Sequence, residues 1–319
     1  MPEASFKAMN KRKQNRTIEF CSTFNTDFSE TIAYNNPLFP AYIRYGILSA
    51  YPDYSAVSHW HNDLEFILIK SGEMTYNVNG ELIVLSENNG IMVNSRQLHY
   101  GFSPQRHECE FICVVLSPEL LRSNEWFYHN YIKCIAENPA CPYLFLEREG
   151  WQGAILAQIE KLYQIFVTCT DKEASPYFEV ITAFASIMKQ LYENLPVRNR
   201  ISQKEASELT AVKNMISYIE EHFAARITLE DIASAGACCK SRCSLLFKKY
   251  LRDTPMTYTM KLRLQKSLVS LLSSDEHITA IALEHGFCGA SYYCETFVKY
   301  YGMSPLQYRK QHGHEETDG

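Results

Sequence analysis

Hydrophobic and polar positions change texture twice along the chain. From Tyr42 to about Leu116, short β-prone runs alternate with turn signals: Tyr42–Leu48, Leu64–Lys70, Met74–Val78, Leu82–Leu85, Gly90–Asn94 and Glu110–Leu116. Asn79-Gly80, set between Val78 and Glu81, predicts a hairpin closed by a type I′ turn. Many short strands at close spacing predict a sandwich or barrel rather than a parallel sheet. Ser117-Pro118-Glu119 then opens helical texture, with Ser as cap and Pro at the first helical position. Two longer helices follow. One runs from about Gln152 to Thr168, with Ile155, Ile159, Leu162 and Phe166 on one face. The other runs from about Pro176 to Leu195, with Val180, Phe184, Ile187 and Leu191 on one face. Such faces pack on a partner helix, within the chain or across a dimer.

The last third, Ile227 to Lys310, carries one pattern twice. Phe247-Lys248-Lys249-Tyr250, Thr254-Pro255 and Tyr258 recur as Phe297-Val298-Lys299-Tyr300, Ser304-Pro305 and Tyr308. Ile232-Ala233 and Ile281-Ala282 stand upstream of each copy. Two copies cannot cap a solenoid, so the repeat predicts a duplicated module. In each, a short helix, a small-residue turn (Ala235-Gly236-Ala237, then His285-Gly286-Phe287) and a second helix give a helix-turn-helix layout. The second helices are expected over about 240–250 and 290–300. Pro255 to about Leu272 forms a spacer helix of about 25 Å, compatible with two successive major grooves about 34 Å apart.

Length and charge narrow the function. At 319 residues the chain exceeds one ordinary core, and two domains are expected. The net charge of −5 excludes a protein that coats nucleic acid over its whole surface. Yet Arg226 to Lys310 holds twelve Lys/Arg against seven Asp/Glu, a local excess of +5 that suits a polyanion. None of the eleven cysteines forms a C-x-x-C pair, so buried reduced thiols are expected. No signal peptide is expected after Lys11-Arg12-Lys13, and no apolar run is long enough for a membrane span, so a cytoplasmic protein without a membrane partner is expected.

The run Ile281-Ala282, Gly286-Phe287, Ser291-Tyr292-Tyr293, Phe297, Lys299, Gly302, Ser304-Pro305 and Tyr308-Arg309 resembles the signature of AraC/XylS-type transcription regulators. The resemblance covers about the last ninety residues. It implies a bipartite DNA-binding domain of two helix-turn-helix units joined by a helix, with double-stranded promoter DNA as partner. It also implies the base-facing positions: Ser241, Ser244 and Leu245, with Lys240 and Arg242 beside them, and in the second unit Ala290, Ser291, Tyr292 and Glu295. Lys248, Lys249 and Lys299 would meet the phosphate backbone. Leu245 and Glu295 depart from the family, where Arg is common, and Asp253 stands where a Gly usually follows the second helix of a unit. The first unit, with Arg242, Lys248 and Lys249, is expected to contribute more affinity than the second.

A different chemistry lies in the β region. His59-Trp60-His61, Glu65 and Gly72 have the spacing of the first cupin motif, and Asn94 and His99 fit part of the second. On an extended strand His59 and His61 point one way, and Glu65 joins them if the strand is unbroken. His59, His61, Glu65 and His99 are expected to orient a small-molecule effector in the barrel. They also form a ligand set for a divalent first-row metal, or tie strand ends together structurally. No cofactor is expected.

The chain thus reads as an α+β two-domain protein. Its expected parts are an N-terminal arm (1–38), a cupin-like β barrel (39–116), a helical dimerisation region (117–195), a linker (196–207) and a double helix-turn-helix domain (208–312). The expected function is a non-enzymatic, homodimeric transcription regulator. A sugar or related metabolite would control it, and RNA polymerase is a further partner. The alternative is a metal-dependent cupin enzyme with a vestigial or adaptor helical domain.

Overall fold

A computed structural model describes residues 23–24, 30–168, 176–195 and 203–312. Most of the expected arm, and linker residues 196–202, lie outside the described residues. Strands β1 (Thr23–Phe24) and β2 (Glu30–Thr31) pair with each other. The barrel comprises β3 (Ala41–Ile47), β4 (Leu64–Val78), β5 (Glu81–Ser86), β6 (Gly90–Val93), β7 (His99–Phe102), β8 (Cys109–Leu116) and β9 (Tyr143–Leu146). These run β3-β8-β4-β6-β9, with β5 and β7 paired to β4, and every pairing is antiparallel. Asn79 and Gly80 close the β4–β5 hairpin at φ 52° and 90°, as a type I′ turn requires.

The two runs expected at Leu64–Lys70 and Met74–Val78 are one strand of 15 residues. Its register against β8 shifts between Ile69 and Ser71, so Lys70 is an extra, bulged residue. The bulge reverses the side-chain alternation. Before it, Ile67 and Ile69 join the inner cluster, and after it Met74, Tyr76 and Val78 do. The opposite face of the sheet, with Leu64, Phe66, Leu68 and Val114, packs on two helices, α1 (Gly150–Thr168) and α2 (Pro176–Asn194). Ile155, Ile159, Leu162, Val180, Phe184, Ile187 and Leu191 all lie in this cluster, so the faces that their spacing picks out are used within the chain. Fully burying each such side chain contributes on the order of 1.5–3 kcal/mol.

Residues 203–207, expected as linker, instead open helix α3 (Gln203–His222). The first module then comprises α4 (Leu229–Ala235) and α5 (Lys240–Leu251). A spacer, α6 (Pro255–Ser273), leads to α7 (Ile278–Glu284), α8 (Ala290–Tyr301) and α9 (Pro305–His312). Thr228 and Asp231 form a reciprocal capping box at the start of α4. The left-handed residue after α5 is Arg252 (φ 58°), not Asp253; it takes the place that Gly302 (φ 75°) holds after α8. In the turns, Ala237 (φ 50°) matches Gly286 (φ 77°), one residue beyond the expected Gly236. At Gly286 a Cβ would come within 2.6 Å of the Phe223 carbonyl, so close backbone approach excludes any other residue there.

The chain forms two compact units, and the division falls within α6, after Tyr258. One unit holds the barrel, α1, α2, most of α3 and the first module. The other holds His222–Arg226 and the chain from Thr259 onward, around a core of Leu264, Leu268, Ile281, Phe287, Tyr293, Phe297 and Tyr308.

Candidate functional site

Each module presents one face of its second helix. On α5, Lys240, Ser241, Arg242, Leu245, Lys248 and Lys249 are exposed, and Ser244 is half-buried. On α8, Ser291, Tyr292, Glu295 and Lys299 are exposed, with Ala290 half-buried. The opposite faces, Cys243, Leu246 and Phe247, and Tyr293, Thr296 and Phe297, are buried. Both helices therefore offer the predicted side chains outward on a firmly held backbone.

Three of the four cations on α5 are already engaged. Glu208, on α3 and buried, accepts from Arg242 at 2.5 Å, from Lys249 at 2.7 Å and from the Tyr250 hydroxyl at 2.9 Å. Lys240 pairs with Glu230 at 2.5 Å. Elsewhere in the basic segment, Arg263 donates to the Phe223 and Ala225 carbonyls, and Arg309 to those of Leu271 and Glu276. These two arginines hold backbone ends together. Two of the three cations expected to favour the first module are thus held by one carboxylate, for which the sequence carried no signal.

Inside the barrel, His59, His61, Glu65 and His99 converge, with their ligand atoms all within 4.8 Å of one another. The strand is not unbroken, because a bend at Asn62-Asp63 separates His61 from the start of β4 at Leu64. His59 and His99 instead meet as an isolated antiparallel bridge. Each ring is aimed by its own backbone. His59 Nδ1 faces the Val57 carbonyl at 2.9 Å, His61 Nδ1 that of Asp63 at 3.1 Å, and His99 Nδ1 that of Gln97 at 2.8 Å. A ring nitrogen facing a carbonyl must carry the hydrogen, so in the neutral ring Nε2 presents a lone pair. The Nε2 atoms of His61 and His99 lie 3.6 and 3.5 Å from the Glu65 oxygens, and both are buried without a hydrogen-bond partner.

Burial pushes the Glu65 carboxyl up, but the neighbouring His99 and His61 rings, when they carry a proton on Nε2, outweigh it and hold the group well below its ordinary range. Burial, reinforced by Glu65, raises the Tyr76 phenol well above its ordinary value, and its hydroxyl donates to Glu65. No local pattern points to Tyr76, since the bulge at Lys70 is what turns it toward Glu65. Asn94, the other residue of the partial second motif, is structural: it donates to the Ile135 and Cys141 carbonyls.

Three lone pairs and a carboxylate suit a divalent ion. First-row bonds of about 2.0–2.2 Å to nitrogen and oxygen need only modest closure of this set. Backbone carbonyls that fix the other ring nitrogen are the usual outer support of metal-bound histidine. The orphaned, buried Nε2 atoms are the observation in favour: left unpaired, such groups cost about 1–3 kcal/mol each.

Residues 232–311 match the helix-turn-helix domain family, and residues 49–115 match the cupin domain family. An uncharacterized HTH-type transcriptional regulator of Bacillus subtilis, YdeC, is 33% identical over 256 residues, covering 79% of this chain and 85% of its own. The melibiose operon regulatory protein of Escherichia coli is 23% identical over 289 residues, covering 86% of this chain and 90% of its own. The solved structure of ToxT from Vibrio cholerae, 14% identical, covers 85% of this chain and 98% of its own with a TM-score of 0.45. Among the described residues, no helix is long and apolar enough to cross a membrane. Likeness to regulators rather than enzymes extends along both halves of the chain, which belongs to the AraC-type family of helix-turn-helix transcription regulators and carries an N-terminal cupin-like ligand-binding domain.

Proposed function

We propose that a small molecule held in the barrel by His59, His61, Glu65 and His99 controls how α5 and α8 meet promoter DNA. The observation that carries this reading is the pair of buried, unpartnered nitrogens, His61 Nε2 and His99 Nε2, aimed into the barrel beside Glu65. Such groups are retained at a cost unless a ligand satisfies them. A sugar or related metabolite offers the hydroxyls to do so, and the name of the melibiose operon regulator, which refers to a disaccharide, supports that class. A second reading has the support of the ring orientations: the four side chains hold a divalent first-row ion. The ion would supply a Lewis-acidic anchor for an oxygen of the effector, while the protein fixes the histidine tautomers and excludes water.

The test is a thermal-shift screen of the full chain with carbohydrates and with Zn2+, Ni2+ and Mn2+, read against DNA binding. A ligand present at about 100 times its Kd stabilises by about 2.7 kcal/mol. That shift should vanish in the His61→Ala/His99→Ala variant. A shift that survives this double substitution would remove the four residues from the site.

On the DNA side, Ser241, Ser244, Leu245, Ala290, Ser291, Tyr292 and Glu295 face the bases. Lys240, Arg242, Lys248, Lys249 and Lys299 serve the backbone. The protein works in the cytoplasm as a homodimer, with RNA polymerase as a further partner at the promoter. Since the apolar stripes of α1 and α2 are used within the chain, the dimer face is an exposed aromatic group. Trp126 and Phe127 pack on Tyr131, whose ring centroid lies 5.1 Å from that of Tyr192. Trp126→Ala/Tyr192→Ala should shift a sedimenting dimer to monomer, and a wild type that sediments as a monomer at micromolar concentration would dismiss self-association.

A further inference from the structure

Three hydrogen bonds join the barrel to helices α6, α5 and α3, which flank or belong to the first module, and each begins beside or bonded to a residue of the histidine cluster. Tyr258, in the first turn of α6, donates from its hydroxyl to the Ser58 carbonyl at 2.9 Å, one residue before His59. Tyr100, one residue after His99 on β7, donates to the Leu251 carbonyl at the end of α5, at 2.7 Å. Lys213 on α3 donates to the Arg96 carbonyl at 2.5 Å, and the Arg96 amide in turn donates to the His61 carbonyl at 2.7 Å. The Lys213 ammonium also lies 5.6 Å from the ring centre of Trp60, between His59 and His61. A fourth contact is steric. The β4–β5 turn abuts the last turn of α5 so closely that a Cβ on Gly80 would meet the Lys249 carbonyl at 2.9 Å. Tyr100 and Tyr258 are buried, so their bonds are not the water-screened pairings of an open surface.

The cluster and this contact share one frame. His59 and His99 exchange backbone hydrogen bonds at 3.1 and 2.9 Å, so the segments that carry them move together. A ligand that draws the Nε2 atoms toward Glu65 pulls on those segments. With them go the Ser58 carbonyl, the Tyr100 ring and, through the His61 carbonyl, Arg96.

We propose that occupancy of the His59/His61/Glu65/His99 site is passed to the first DNA-binding module through Tyr258–Ser58, Tyr100–Leu251 and Lys213–Arg96. The affected point is the junction between α5 and α6, which sets the pose of the helix that faces DNA. This inference rests on the second reading above, that the four residues hold a divalent ion. By linkage, DNA held by that module changes the ligand's affinity by the same factor as the ligand changes DNA affinity.

The test uses the full chain with Zn2+ alone as the probe. Hydrogen exchange is followed at the Leu251–Tyr258 amides in the wild type and in Tyr100→Phe/Tyr258→Phe, which keeps both rings and removes only the two hydroxyls. In the wild type, Zn2+ should change exchange at this junction by about fivefold or more, the lower end of ordinary site-to-site coupling. The double variant should still bind Zn2+, yet lose most of the response. Binding with no response at the junction in the wild type would overturn the coupling alone, as would an undiminished response in the variant. A change spread evenly over the chain would also overturn it, being simple stabilisation of the native state. A wild type that fails to bind Zn2+, measured by calorimetry, would overturn the metal reading and with it this proposal.

Discussion

Phe297→Ala should destabilise the second module by about 3–5 kcal/mol, as large-to-small changes at fully buried aromatics do. Phe297 has no exposed surface and is enclosed by rings on three sides: Tyr293 at 5.6 Å, Tyr301 at 4.5 Å and Tyr308 at 5.4 Å between centroids. These come from α8 itself and from α9, so removing the ring opens a cavity at the point where the two helices close on α6. Its counterpart Phe247 is equally buried, with Tyr258 5.9 Å away. Denaturant unfolding of the full chain, followed with a probe in α8, measures the loss. A cost below about 1 kcal/mol would mean that the neighbouring tyrosines collapse into the space, which the strong cavity dependence of such substitutions makes the informative alternative.

Glu208→Gln should steepen the salt dependence of DNA binding. In the wild type, Arg242 and Lys249 share the Glu208 carboxylate, so phosphate must compete with it for both cations. Gln keeps the shape of the side chain and removes the charge. If each released cation takes one phosphate, the slope of log K against log salt grows by about 0.9 per contact, or about 1.8 for two. Between about 50 and 200 mM salt, the variant then loses about tenfold more affinity than the wild type, having bound more tightly at the low end. A 30-base-pair duplex of any sequence serves, because phosphate contacts are sequence-independent. An unchanged slope would strike Arg242 and Lys249 from the DNA contacts. The same bonds set the acid limit of the arrangement. Hydrogen bonding from Lys249, with Tyr250 and Arg242, holds the Glu208 carboxyl down at about 2 against its partial desolvation. A depressed carboxyl stabilises the fold above its ordinary value and loses that contribution as pH falls toward 2. The clamp is therefore intact throughout the neutral range.

What could be read from the sequence follows the range of the forces involved. The turn at Asn79-Gly80 and the apolar stripes of α1 and α2 are local signals, and the structure uses each as the spacing suggests. The convergence of His59, His61, Glu65 and His99 was legible too, although by a different geometry. Shared parity with Glu65 needed an unbroken strand, but the chain bends at Asn62-Asp63, and backbone carbonyls rather than strand parity aim the rings. Features that depend on distant partners left no local trace. Glu208 holds Arg242 and Lys249 across more than thirty positions, and Tyr258 reaches Ser58 across two hundred. Pairing of the two modules by their Phe residues reached the helices but slipped by one position at their edges, at Arg252 and Ala237, where no glycine marks the left-handed turn.

The bulge in β4 gives one position an unusual standing. Lys70 reaches out to Glu160, a bond at the protein's surface that many side chains could forgo. As a unit of length, however, Lys70 is the residue that the bulge absorbs. Were β4 to run through it in regular register, everything beyond would rotate by half a turn: Met74, Tyr76 and Val78 would face outward, and Glu65 would lose its phenol partner. Deleting Lys70 removes the extra residue and the bulge together, so the same three side chains keep their inward face. Among relatives of this chain, a segment from Glu65 to the Asn79-Gly80 turn that is one residue shorter should therefore run without a bulge, and one of the same length should keep it.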